Sequence, residues 1–433
     1  MENSSKNKQQ SQEKAEDHFM DQIDGGHTLA LRVIKALEEG GFEARLAGGC
    51  VRDRLLGIRP HDYDVATNAL PDQICLIFKQ KSIKAVPTGI DHGTITVVIA
   101  GQGIEVTSLR RDVSTDGRRA TVAFGSSFEE DAERRDFTFN AMFEDREGRL
   151  YDFFGGQDDL KKGRLRFVGE AKERMREDYL RILRLFRFWA RFGFEPDQET
   201  LEACRQEAPG LKIVSQERIT HELLVTLEGD FAGSALRAMD QTGVLARILE
   251  ISAIDSLIPT LDALKIGRKA ERSAARLALL FKDLWDKDQN LLRKRLQELR
   301  LAKNFQQKLQ LHLEVAWYEL DLSPAVALES IDQWEILGGD FLESILPFWK
   351  VLFPAESQKL LELEKLESRY GHRRKAKPPL DGQMLMTRFK LHPGPELGQA
   401  LMELKRRWRL EQWNTAEEGF LQAERILADL KTI

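Results

Sequence analysis

Apolar residues at Leu29, Leu31, Val33, Ile34 and Leu37 follow a 3.6-residue period, which predicts a helix over 28–39 closed by Gly40-Gly41. A strand is expected over 43–47, and Pro71-Asp72 opens a second helix over 73–78. From Ala85 to Ile99, and again from Ile104 to Leu109, apolar and polar residues alternate among β-branched side chains. These runs predict a hairpin turning at Gly101-Gln-Gly103. The stretch 110–127 is polar, glycine-bearing and without period, so it reads as a mobile loop. Residues 151–162 read as strand, turn and short helix. Beyond them the pattern is helical: one helix over Glu173–Arg191, an amphipathic segment from Ser215, then stripes over 231–248, 251–264, 271–286, 291–299, 304–320, 325–331 and 340–353. A sheet-bearing first part followed by helices predicts an α+β chain.

At 433 residues the chain exceeds one ordinary core, so two to four domains are expected. A hydrophobic share of 42% with 31% charged residues describes a soluble globular protein, and no uncharged run is long enough to cross a bilayer. The first 24 residues, rich in Lys, Gln, Ser and Glu, lack an apolar block and read as a disordered tail and not a signal peptide, hence a cytoplasmic expectation. Cys50, Cys75 and Cys204 have spacings that fit neither a disulfide framework nor a metal site, so all three read as ordinary buried residues. A net charge of −5 excludes a uniformly basic protein but not a local basic groove.

Candidate chemistry concentrates in Leu46-Ala-Gly-Gly-Cys-Val-Arg-Asp-Arg-Leu-Leu-Gly57 and the following His61-Asp62-Tyr63-Asp64. Gly48 and Gly49 lack a Cβ, so the backbone can turn sharply and aim N–H groups at an anion where a helix begins. In extended backbone Asp62 and Asp64 point to one face, with Cα atoms about 6.6 Å apart, while Tyr63 and Val65 point inward. Such a pair can share two divalent ions of the kind that clamp the oxygens in phosphoryl transfer. Glu105, among Val and Thr on the second hairpin strand, is either a solvent-face residue or a third metal ligand. Arg135 offers forked donors and Asp136 a sugar-hydroxyl acceptor in Glu133-Arg-Arg-Asp-Phe-Thr-Phe-Asn-Ala141; a plain salt bridge at a helix start is the competing reading.

These motifs resemble the class II tRNA nucleotidyltransferase (CCA-adding enzyme) and bacterial poly(A) polymerase family, whose Gly-Gly-x-Val-Arg-Asp-x-Leu-Leu-Gly, Asp-x-Asp and Arg-Arg-Asp-x-Thr-x-Asn-Ala patterns are all filled here. The resemblance implies a polymerase-beta-like nucleotidyltransferase head over 27–160 after a tail over 1–26. A helical neck over 161–228, a body over 229–345 and an RNA-binding tail over 346–433 would follow. It implies metal ligation and catalysis by Asp62, Asp64 and Glu105 with two Mg²⁺, Mn²⁺ being an alternative. It assigns nucleotide binding to Gly48, Gly49, Arg52, Arg135, Asp136 and Asn140. The family's Glu-Asp-x-x-Arg motif, here Glu177, Asp178 and Arg181, would read the base of CTP or ATP, with Arg184 and Arg187 along the phosphates. Carboxylate acceptor and arginine donor suit cytosine and adenine and reject uracil and guanine at the amine position.

Resemblance further implies tRNA as partner, held at acceptor end and elbow through Arg373, Arg374, Lys375, Lys405, Arg406 and Arg407, and a monomer or weak dimer without membrane contact. In this family the loop after the metal motif is linked to the switch from C to A addition; Ser114-Thr115 here replaces a frequent Tyr. Ser215-Gln-Glu-Arg-Ile-Thr-His-Glu-Leu resembles the Glu-Arg-Ile-x-x-Glu-Leu motif, expected to brace the base-reading helix. Val86-Pro-Thr-Gly-Ile-Asp-His-Gly-Thr favours the tRNA enzymes, since poly(A) polymerases carry an Arg-rich segment there. Poly(A) polymerase and an A-adding partial enzyme are the alternatives.

Overall fold

The computed structural model describes residues 25–115, 120–125, 127–264, 269–315, 346–352, 355, 357–370, 378–411 and 413–430. Arg373, Arg374, Lys375, the tail over 1–24 and the helix expected over 325–331 lie outside them. The chain divides into two compact units, one formed by residues up to Glu222 with 238–252, the other by 223–237 with the residues from 253 onward.

The first unit is built on a seven-stranded mixed sheet in the order β3-β4-β5-β2-β1-β8-β9. Its strands are β1 (Ala44–Ala47), β2 (Asp64–Thr67), β3 (Lys84–Gly89), β4 (Thr94–Ile99), β5 (Gln102–Ser108), β8 (Met142–Glu144) and β9 (Leu150–Asp152). All neighbours are antiparallel except β2 and β5, which run parallel with Asp64 opposite Glu105. Alternation explains the hairpin: Ile95, Val97 and Ile99 on β4, and Ile104 and Val106 on β5, are all buried. The helix Gly25–Glu39 buries Val33, Ile34 and Leu37, the stripe read from the sequence. Strand β2 begins only at Asp64, so Asp62 stands in the turn ahead of it and not within the strand as expected. Burial still alternates, with Tyr63 and Val65 inside and Asp62 and Asp64 outside.

The stretch after Ser108, expected as a loop, is a two-stranded ribbon of β6 (Arg110–Thr115) and β7 (Ala120–Phe124). Its strands pair only with each other, separately from the seven-stranded sheet. The ribbon's base is seated on the segment that precedes β4. Arg110 donates to the His92 carbonyl, and the Phe124 ring lies over Gly93. Gly93 has φ +76°, and a Cβ there would come within 2.5 Å of the Phe124 ring. Gly93→Ala is therefore expected to cost about 1–2 kcal/mol, the left-handed backbone alone accounting for that, read as a lower urea midpoint.

The expected helix over Glu173–Arg191 is two helices, Ala171–Glu177 and Leu180–Phe192. Asp178 lies between them in extended backbone, so it does not share a helix face with Arg181 and Arg184. Its carboxylate accepts from the Leu180 N–H at 3.1 Å, a side-chain cap that competes with continuing the first helix. The helix Gln216–Glu228 follows the expected capping Ser215.

In the second unit helices continue over Ile258–Ala263, Lys269–Leu280, Lys282–Lys287, Gln289–Glu298, Lys303–Val315, Leu346–Leu352, Ser357–Tyr370, Gly382–Phe389, Pro395–Glu411 and Ala416–Leu430. The stripe read as 231–248 is broken by Gly243 at φ +74° into Ala232–Gln241 and Val244–Leu249. Buried Arg276 donates to the carbonyls of Leu227, Gly229 and Leu261 at 2.6–2.9 Å, gathering two helix ends. Near the C-terminus Leu385, Ala400, Leu404, Trp408, Trp413 and Ile426 form a separate core. Cys50 and Cys204 are buried as expected, whereas Cys75 is only half-buried; all three are free thiols.

Candidate active site

Strand β1 ends in Ala47 and delivers Gly48 to a turn at φ +70°, ψ −118°, which a side chain would strain. A Cβ on Gly48 would also stand 2.7 Å from an Arg135 guanidinium nitrogen. The Gly48 N–H donates to the Met142 carbonyl at 3.0 Å, so an anion seat at this turn falls to the amides that follow, starting with Gly49.

Beside the turn, the parallel β2–β5 pairing sets Asp64 and Glu105 side by side, both exposed. Asp62 is exposed too, its carboxylate 2.8 Å from His61 Nδ1. Desolvation by the protein packed on its inner side, then the charges of Glu105 and Asp62, push the Asp64 carboxyl up to about 6, with Arg135 opposing them.

Arg135 donates to Asp131 at 3.0 and 3.1 Å and to the Asn140 carbonyl at 3.1 Å. Asp136 is 9% exposed. One of its oxygens accepts from the Phe137 N–H and Asn140 Nδ2, the other from Arg184 Nε at 2.8 Å. Burial alone would raise this carboxyl, but the Arg184 charge and the donated hydrogen bonds hold it well below the usual carboxylate range. Asn140 also accepts from Arg52 at 2.6 Å, and Arg52, 4% exposed, pairs with Asp53 at 2.7 Å. The Arg52 guanidinium, expected at the phosphates, is thus engaged beneath the turn by Asp53 and Asn140.

Around the helix break, Glu177 accepts from Arg174 and Arg181, and Arg181 also donates to the carbonyls of Arg174 and Arg134 at 2.9 and 3.2 Å. Asp178 is gripped by Arg218 at 2.6 Å. Arg187, expected along the phosphates with Arg184, reaches Glu222 at 3.1 Å; desolvation and the Arg184 charge lower it to about 10, still protonated at neutral pH. Phe188 sits edge-on to Phe137 and Phe139, so the Leu180–Phe192 helix packs directly on the Arg-Arg-Asp turn.

Comparison with known proteins follows this layout. Residues 44–166 match the model of the poly A polymerase head domain, and 193–254 that of the probable RNA and SrmB-binding site of polymerase A. The chain is 36% identical over 407 residues to CCA tRNA nucleotidyltransferase 1, mitochondrial, of Danio rerio, spanning 90% of this chain and 88% of that one. It is 33% identical over 398 residues to the CCA-adding enzyme of Latilactobacillus sakei, across 91% and 96% of the two chains. The Bacillus stearothermophilus CCA-adding enzyme solved with CTP superposes at TM-score 0.74 with 28% identity, covering 95% of this chain and 100% of that one. The chain belongs to the CCA-adding tRNA nucleotidyltransferase family. A tRNA nucleotidyltransferase solved with a primer tRNA and an incoming ATP analog also superposes, at TM-score 0.60 and 25% identity, over 78% of this chain and 98% of that one.

The family implies divalent ions, and the donor set here suits them: carboxylate oxygens, two adjacent by register, open to solvent and repelling one another. Among the described residues no three or more His, Cys, Asp or Glu side chains are placed so as to hold one metal ion together. Four further residues of the site escaped the sequence reading as individuals: Asp53, Asp131, Arg191 and Glu222. Asp53 and Glu222 lie inside motifs and Arg191 at the end of the arginine-rich helix expected over Glu173–Arg191; Asp131 had no signal, because its partners come from the folded chain. Of the tail residues expected to touch RNA, Lys405 is exposed and Arg407 pairs with Glu403 at 3.0 Å on the Pro395–Glu411 helix, which also carries Arg406.

Proposed function

We propose that this protein adds CMP, CMP and AMP in turn to the 3′ end of tRNA, using CTP and ATP, releasing pyrophosphate and needing no nucleic-acid template. The observation that carries nucleotidyl transfer is the register of β2 against β5, which sets Asp64 beside Glu105 at the edge of the Gly48 turn. The choice of tRNA, CTP and ATP is supported by what the full-length relatives are and by what the superposing enzymes were solved with.

Asp64 and Glu105, joined by Asp62, would hold divalent ions, Mg²⁺ or Mn²⁺. Two such ions, when bound, activate the RNA 3′-hydroxyl and offset the charge of the triphosphate. The protein's own part is placement. Gly49 offers its backbone N–H to the phosphates, and Arg135, fixed by Asp131 and the Asn140 carbonyl, holds its guanidinium charge beside Gly48. Asp178 would accept from the exocyclic amine of cytosine or adenine, and Arg181 would donate to the ring acceptor. Arg218 and Glu177 fix these two side chains. Leaving either unpaired against uracil or guanine would cost a few kcal/mol, about tens- to hundreds-fold in preference. The tRNA would be held by shape and backbone, with Lys405, Arg406 and Arg407 of the tail helix on its phosphates.

Acceptors ending before the first C, after one C and after two, each incubated with CTP and ATP, are expected to stop at a completed CCA. Long tails from ATP alone would overturn this reading in favour of a poly(A) polymerase. Extension of only the CC-ended acceptor would reduce it to A addition.

A further inference from the structure

We propose that Asp53 is a positioning residue that locks the base-reading helix to the head, and that nucleotide choice depends on this lock. The inference rests on the nucleotidyl-transfer reading above and adds a specificity role outside the Glu-Asp-x-x-Arg motif.

Asp53 is 7% exposed on the short Gly49–Leu55 helix. One carboxylate oxygen accepts from Arg52 Nε at 2.8 Å and lies 2.7 Å from a terminal nitrogen of the same guanidinium. The other oxygen accepts from Arg191 at 2.9 Å. From Arg52 the connection continues through Asn140 to Asp136, and from Asp136 to Arg184. Besides Arg181, which donates to the Arg134 carbonyl, the Leu180–Phe192 helix is thus tied to the head through Arg184 and Arg191, seven residues apart and about 10.5 Å along its axis. Beside these ties Arg52 lies over the rings of Phe188 and Phe192, at 5.3 and 5.1 Å.

A helix held by hydrogen bonds only through Arg181 and Arg184, in its first two turns, could still swing at its far end; the Arg191 tie stops that swing. Arg181 stands in the first turn of this helix, so such a swing would turn its guanidinium against a base seated at Asp178. Asp53 is suited to the lock because one carboxylate answers two guanidiniums. With the charge removed, buried Arg52 keeps only neutral Asn140 and then repels Arg191. Asp53 is not needed to touch the nucleotide, since both of its oxygens are already engaged.

The experiment measures kcat/KM for CTP, UTP, ATP and GTP on acceptors awaiting C or A, with wild type, Asp53→Asn, Arg191→Gln and the double variant. Expected is a loss of about tenfold in the CTP-over-UTP and ATP-over-GTP ratios for each single variant and little further loss in the double, the non-additivity of residues acting as one unit. Thermal midpoints are recorded alongside. If Asp53→Asn fails to fold, Arg191→Gln, which leaves the Arg52–Asp53 pair in place at a part-exposed helix end, carries the test alone. Equal losses for all four nucleotides with unchanged ratios would overturn the proposal. Wild type that adds no C or A would instead sink the nucleotidyl-transfer reading, so the two failures are distinct.

Discussion

Asp64→Asn is expected to lower single-turnover AMP addition to a CC-ended tRNA by about 10³-fold or more while leaving the cation-free fold as stable as wild type, or more so, at pH 7.5. The activity loss follows from position. Asp64 faces Glu105 across the parallel pair and heads the strand beside the glycine turn, so with Glu105 it would hold the ions. Several kcal/mol of charge stabilisation is the usual share of such ions, and each 1.36 kcal/mol is tenfold in rate. The stability result follows from the sign of the shift. The Asp64 carboxyl rises from 3.8 to about 6, so the fold disfavours its charged form. That penalty is absent below pH 3.8, grows between the two values and is full at neutral pH, where an uncharged amide removes it. Wild type should accordingly bind Mg²⁺ more weakly as pH falls through about 6, read by calorimetry, because the proton competes for the same oxygen. An Asp64→Asn protein that keeps incorporation within tenfold of wild type would end the metal assignment, whatever its stability.

Local periodicity made the sheet legible and tertiary partners made the rest illegible. The alternation that buries Tyr63 and Val65 and exposes Asp62 and Asp64 needs only extended backbone, so two residues on each side sufficed to orient the acid pair. The same logic failed at Asp178. A 3.6-residue stripe runs unbroken from Glu173 to Arg191, and nothing within it announces that Arg218, forty positions on, will hold the carboxylate in extended backbone. It was silent on the surroundings of Arg52, whose motif position suggested a phosphate contact. Its hydrogen-bond partner Asn140 lies 88 residues away and, with Asp53, draws the guanidinium under the turn. The ribbon of β6 and β7 was unreadable for another reason: the glycine-bearing polar stretch reads as a loop, and the pairing of its two halves forms only in the fold. Motif resemblance supplied the site's membership, whereas the hydrogen bonds among its members came only from the fold.

Asp136→Ala is expected to lower folding stability by about 3–5 kcal/mol, the usual consequence of removing one partner of a buried ion pair, and Asp136→Asn by about 1–3 kcal/mol. The reason for the difference is what each leaves behind. Alanine strands Arg184 and Asn140 together, while asparagine keeps an oxygen for one of them but no charge. The pH dependence gives an independent check. The folded carboxyl is held far below its ordinary 3.8, so the pair's contribution is fully present above that value. It fades only as pH drops below 3.8 and vanishes once the folded group itself takes up a proton. Urea midpoints of wild type and Asp136→Asn should therefore run parallel from pH 8 to pH 5 and converge in stronger acid. Midpoints that converge already at pH 5 would mean that Arg184 does not depress the carboxyl. An alanine variant as stable as wild type would mean that Glu222, 3.9 Å from Arg184, balances the guanidinium without Asp136. The Arg-Arg-Asp turn would then rest on its phenylalanine contacts alone.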